Sequence, residues 1–104
     1  MTWKDKFYDW VLESGFDCYQ SGFVIDVSKD NNIYSAHVLD NMNCSIKVVM
    51  DNHGELKTAS CNCSYYRKNH EYCKHIAATL FAMEKRYPEA FKENKVAAIC
   101  LQYS

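Results

Sequence analysis

The 104-residue sequence has only three glycines and a single proline. No low-complexity linker and no internal repeat interrupts it, so it predicts one folded unit rather than an array. Charge of neither sign dominates: 12 Lys and Arg stand against 13 Asp and Glu, a formal net charge of −1. No global basic field draws in duplex nucleic acid, and any such binding needs a local patch. No apolar run approaches the roughly 20 residues of a membrane-spanning helix. The opening MTWKDKFYDW mixes charge with aromatics and does not read as a secretory signal. The phosphate-binding pattern Gly-x-x-x-x-Gly-Lys-Ser/Thr is absent, and with it the signature of a nucleotide-driven motor. Cys-x-x-Cys, the usual redox spacing, is absent too. What is present is ordinary for a globular protein, with 48% hydrophobic and 24% charged residues.

The six cysteines are the most informative residues. Residues 60–86 read SCNCSYYRKNHEYCKHIAATLFAMEKR. Cys61, Cys63, Cys73 and His75 form Cys-x-Cys, a spacer, then Cys-x-His. Three thiols and an imidazole are a ligand set for tetrahedral structural zinc, and four protein ligands leave no position for water or substrate. Residues i and i+2 of a strand share a face, so Cys61 and Cys63 can reach one ion from a strand end. In a helix they diverge by about 200°, so Cys73 must precede the first turn of a following helix and His75 must lie at its start. Ile76, Ala77, Leu80, Phe81 and Met83 then form the apolar stripe of that helix. The order expected is strand, knuckle, loop, metal-anchored helix. The competing readings are ordinary reduced thiols beside a surface histidine, or a Cys-x-Cys redox pair. Cys18, Cys44 and Cys100 remain as small core residues or free thiols. That remainder, with no export signal, predicts a reducing, intracellular and cytoplasmic setting.

The pattern resembles the SWIM-type zinc finger, whose signature is Cys-x-Cys, a variable spacer and Cys-x-His. The resemblance implies that Cys61, Cys63, Cys73 and His75 bind one structural Zn2+ per chain. Ser64 stands where many members have proline. Gly15, Tyr19, Gly22 and Val24, followed by strands and the cysteines, also look like the segment before the finger in amino-terminal regions of bacterial Snf-type helicase ATPases. That extends the resemblance over residues 14–86. The chain has no room for an ATPase, so the helicase analogy would put the motor elsewhere.

Before the finger, Trp3, Phe7, Trp10 and Val11 share one face of a helix expected over residues 3–13, with Thr2 as cap. Gly15 is expected to end or bend that helix, and residues 15–22 to form a short turn closed by Gly22. Core packing is preferred to a ligand platform for Trp3 and Trp10. Phe23, Ile25 and Val27 alternate with Val24, Asp26 and Ser28, residues 33–39 and 44–50 are rich in strand formers, and residues 55–60 lead into the knuckle. KDNN, DNMN and DNHG separate them, so short turns and antiparallel neighbours follow. Asn52, His53 and Gly54 mark a hairpin tip. Pro88 should end the metal-anchored helix, and Phe91, Val96, Ile99 and Leu101 suggest a last short helix.

The fold expected is α+β: a small antiparallel meander over residues 23–60, a finger and helix over 61–87, a helical lead-in over 1–22 packed on the sheet, and a tail over 88–104. His37, His53 and His70 are read as exposed or hydrogen-bonded, although His70 could compete with His75 as ligand. No catalytic residue or small-molecule substrate is expected. The spacer, residues 64–72, offers Tyr65, Tyr66, Arg67 and Lys68, with Lys74 just beyond it. Bases can stack on such aromatics while cations meet phosphates. The resemblance implies a non-enzymatic module for a nucleic-acid or protein partner. The near-neutral charge favours the alternative, a protein-interaction or assembly adaptor without nucleic-acid affinity.

Overall fold

The computed structural model describes residues 3–40 and 42–92. A 3-10 turn, Trp3–Lys6, leads into helix α1, Asp9–Gln20. Four strands follow: β1 Val24–Asp30, β2 Ile33–Leu39, β3 Asn43–Met50 and β4 Leu56–Cys61. Helix α2, Ser64–Asn69, and helix α3, Lys74–Arg86, come next, then a 3-10 turn, Pro88–Phe91. The sheet is antiparallel in the order β1-β2-β3-β4, so the α+β meander is as the sequence predicts.

The sheet is one-sided. Tyr34, Ala36 and Val38 of β2 are buried, as are Cys44, Ile46, Val48 and Met50 of β3. Their period of two places one face on the core and the other in solvent. Helix α3 lies on that inner face, and α1 packs on α3. Covered on both sides, α3 is buried without a break from His75 to Leu80, beyond the single stripe of an amphipathic helix. It ends at Arg86, ahead of Pro88, which starts the 3-10 turn.

Several local expectations need correction. Gly15 does not end the first helix; it lies inside α1 and is buried. A Cβ there would fall 2.6 Å from Ala77 Cβ and 2.9 Å from the Lys74 carbonyl oxygen. The glycine therefore serves close approach of two helices, and the helical break lies earlier, between Lys6 and Asp9. Trp10 is not on the core face: Trp3, Phe7 and Val11 are buried, whereas Trp10 is 53% exposed. Trp3 and Phe7 precede α1, so no helical stripe joins them to Trp10, which on α1 stands about 100° from the buried Val11. Trp3 is anchored by its indole N–H, which donates to Glu84 Oε2 at 3.1 Å. The alternation in β1 breaks at a bulge between Ile25 and Ser28, where Asp26 takes φ 55°. The spacer is not a loop, since it contains α2. The cap assigned to Thr2, and Val96, Ile99 and Leu101 of the last helix, lie outside the described residues; within them the tail is the turn Pro88–Phe91. The hairpin tip is as expected, with Gly54 at φ 79° and Asp51 Oδ1 accepting the His53 and Glu55 N–H groups at 2.8 and 3.0 Å.

The Gly15 contact yields a test. Alanine normally gains about 1 kcal/mol over glycine inside a helix. Here the added methyl meets a backbone carbonyl and Ala77, and overpacking typically costs about 1–3 kcal/mol. Gly15→Ala should therefore lower stability despite its better helix propensity. Urea denaturation of the metal-loaded chain should show a lower midpoint with an unchanged slope; a higher midpoint would show that the interface has slack.

Candidate metal centre

The donors arrive from three places. Cys61 is the last residue of β4, paired with Ile46 across β3. That pairing puts Cys61 on the buried face. Cys63 follows two residues on and is the N-cap residue of α2. Between them, Asn62 turns outward and its Oδ1 accepts the Ser45 N–H at 2.9 Å, which ties the knuckle to β3. Cys73 is the N-cap residue of α3, in extended backbone conformation, and His75 lies one residue inside the first turn. The placement of Cys73 before the helix and His75 at its start is the one the spacing requires.

The donor atoms of Cys61, Cys63, Cys73 and His75 all lie within 4.8 Å of one another, and all four residues are buried. His75 Nδ1 is 3.9 Å from Cys61 Sγ and 3.8 Å from Cys73 Sγ. Zinc bonds of about 2.3 Å to sulfur and 2.0–2.1 Å to nitrogen give tetrahedral edges of roughly 3.8 Å between sulfurs and 3.6 Å from sulfur to nitrogen. The cluster therefore fits one structural zinc ion with little rearrangement.

The electrostatics suit a cation. Cys73 is pulled down to about 4, first by its contact with the Cys61 thiol, then by His75 and the Ile76 N–H, against the cost of burial. Cys61 is pushed up, first by the same contact with Cys73 and then by burial. The two thiols are in direct contact, so the ionisation of one is tied to the proton on the other. Cys63 is raised by burial, although the Tyr66 N–H donates to its sulfur at 3.4 Å. Cys63 and Cys73 both sit at the start of a helix, where unpaired N–H groups favour a thiolate. A dication bound here takes over the charge balance that the protons otherwise supply.

Other titratable residues fall outside the cluster. His70 caps the carboxyl end of α2 at φ 56° and is exposed. His37 is half-buried, with Nδ1 3.2 Å from Asn43 Oδ1. Cys18 and Cys44 are buried thiols raised by desolvation, matching the core role expected for them; Cys100 lies outside the described residues. Sequence reasoning missed Asp40, just past β2. Its carboxylate Oδ2 lies 2.8 Å from Lys74 Nζ and 3.6 Å from His75 Nε2. The Lys74 ammonium holds Asp40 below the usual carboxylate range against the opposing effect of burial, with a lesser contribution from the His75 ring.

The surface residues read from the spacer are dispersed. Tyr66 is half-buried and its hydroxyl donates to the Ala59 carbonyl at 3.2 Å. The Tyr65 hydroxyl donates to Glu71 Oε1 at 3.0 Å. Its ring meets Trp10 edge-on, with centroids 5.6 Å apart. Lys74 is engaged by Asp40. Arg67 and Lys68 are exposed in the last turn of α2. Among the described residues no helix is long and apolar enough to cross a membrane.

Compared with known families, residues 46–84 match the SWIM zinc finger model. Searches of curated proteins and of solved structures return no match. The matched segment runs from the middle of β3 to the last turns of α3 and contains all four clustered donors. Residues 46–84 are therefore similar to the SWIM zinc finger, and the Cys3His cluster within them fits one structural zinc ion.

Proposed function

We propose that Cys61, Cys63, Cys73 and His75 bind one Zn2+ and that the ion staples a non-catalytic module for docking a protein partner. The observation that carries the metal assignment is the buried, mutually close donor set. With all four positions filled by protein, zinc acts as a cross-link and offers no site for water or substrate. The docking surface centres on the exposed Trp10 packed against Tyr65. Its borders carry both signs of charge: Asp9 and Glu13 on α1 and Glu71 beside Tyr65, against Arg67 and Lys68 on α2. A mixed rim around aromatics suits a protein partner. It suits a phosphate backbone poorly, because carboxylates repel it within a Debye length. Of the five residues read as nucleic-acid or partner contacts, Tyr65, Tyr66 and Lys74 are bonded within the fold. Arg67 and Lys68 favour the nucleic-acid reading as the second one. Placement beside a Snf-type ATPase rests on the resemblance of residues 14–86 alone.

Elemental analysis should find one zinc per chain, with Cys63→Ser and His75→Ala reducing it and His70→Ala leaving it unchanged. Release from His70→Ala but not from His75→Ala would reassign the fourth ligand.

Metal removal should unfold at least the finger and α3. Structural zinc contributes roughly 10–16 kcal/mol in small fingers, against about 5–15 kcal/mol for a whole domain. Acid should act in the same direction as a chelator. Zinc binds sulfur only as thiolate, so each proton taken up as pH falls displaces metal. Zinc content and helical circular dichroism should therefore decline together below neutral pH. An unchanged thermal melt after verified metal removal would contradict the stapling role.

Titration of single- and double-stranded oligonucleotides separates the two partner classes. The protein-docking reading expects no measurable affinity at low salt, and a protein partner held by the parent but lost with Trp10→Ala. Contact with about three phosphates on a single strand would instead give a log–log salt slope of roughly −2. A reduced slope in the Arg67→Ala, Lys68→Ala double variant with zinc retained would place nucleic acid on α2.

A further inference from the structure

Asp40 belongs to neither the Cys-x-Cys nor the Cys-x-His pair, yet it faces the metal centre. It follows the end of β2 at Leu39, and α3 begins at Lys74. The side chain of Asp40 is only 17% exposed and that of His75 9%. Oδ2 lies 2.8 Å from Lys74 Nζ and 3.6 Å from His75 Nε2. The latter distance is slightly past hydrogen-bond range, but the carboxylate's field acts on the ring across it.

A neutral imidazole has one N–H and one lone pair, and the partner of one nitrogen decides which atom carries which. Here Nδ1 faces the sulfurs of Cys61 and Cys73, and Nε2 faces Asp40. A carboxylate beside Nε2 favours the proton there, so the Nδ1 lone pair points into the cluster. We propose that Asp40 is the positioning residue of the metal centre: it sets the His75 tautomer and ring orientation, and through Lys74 it fixes the first turn of α3 to the end of β2. The inference rests on the reading of His75 as a ligand. Such outer partners of metal-bound histidines typically govern about 10–100-fold in metal affinity.

The test uses the full chain, labelled with 15N and loaded with one equivalent of zinc. Competition against a chelator measures affinity, and long-range 1H–15N spectra of the imidazole report the tautomer. The parent should show Nε2–H with Nδ1 metal-bound. Asp40→Ala should weaken zinc by about 10–100-fold and Asp40→Asn severalfold, whereas Lys74→Met should change it by less than about threefold. The Nε2 proton should exchange faster with water in both Asp40 variants. Parent-like affinity in Asp40→Ala would overturn the proposal, as would a Lys74→Met loss equal to that of Asp40→Ala, which would reduce Asp40 to half of an ion pair. If Asp40→Ala does not fold, Asp40→Asn decides: unchanged affinity and unchanged proton exchange overturn the role. A parent that takes up no zinc, or holds it equally after His75→Ala, defeats the ligand reading instead.

Discussion

Four donors from one strand end and two helix starts must meet at a point, and this convergence sets the geometry around it. Cys61 is held by β4 pairing, Cys63 and Cys73 precede helices, and His75 lies in the first turn of α3. Because α3 is buried between the sheet and α1, its amino end cannot move without disturbing both layers. The close approach of Gly15 to Lys74 and Ala77 sits within one turn of His75. Packing between α1 and α3 and convergence of the donors are thus two parts of one constraint. Bringing polarisable thiols into a buried site is unfavourable while they carry unbalanced charge. The opposed shifts of Cys61, raised, and Cys73, lowered, arise from their mutual contact and express that tension in the protein alone.

Much of this was legible where local pattern and tertiary demand agree. Strand β2 spans the 33–39 run of strand formers, and β3 and β4 begin or end within a residue of their runs, because turn clusters punctuate a period-two pattern. The metal cluster was legible because i, i+2 spacing has opposite consequences in strands and helices. Where reading failed, distant contacts decided. Gly15 looks like a helix terminator locally, but α3 across the interface needs its missing side chain. Helix α2 has little sequence signature; it is stabilised by Cys63 at its cap and by Tyr66 bonded to Ala59. Asp40 lies in a turn-rich stretch and acquires its surroundings only when β2 and α3 are juxtaposed. The alternation that suggested β1 gives no hint of the bulge at Asp26.

The metal centre and the exposed aromatic surface are linked through the chain itself. Helix α2 is bounded by Cys63 at one end and, after a short connection, by Cys73 at the other. A single ion at the cluster therefore closes a loop whose interior carries Tyr65, Arg67 and Lys68. Six residues are too few for a stable helix in isolation, so α2 depends on this closure and on its bonds to β4. Tyr65 is further held by Glu71, which also accepts from the Tyr8 hydroxyl at 3.0 Å, and by the edge of Trp10. Glu71 thus joins the entry to α1 with the finger. A surface built this way is pre-organised: its aromatics are held within the fold, and any binding there would not be charged the entropy of ordering them. Loss of the cross-link would release α2 first and leave the β2–β3 pairing, which has no donor in the cluster, to persist on its own contacts. An ion at the cluster would thus make α2 and its aromatics, rather than the sheet, the part of this fold most sensitive to metal.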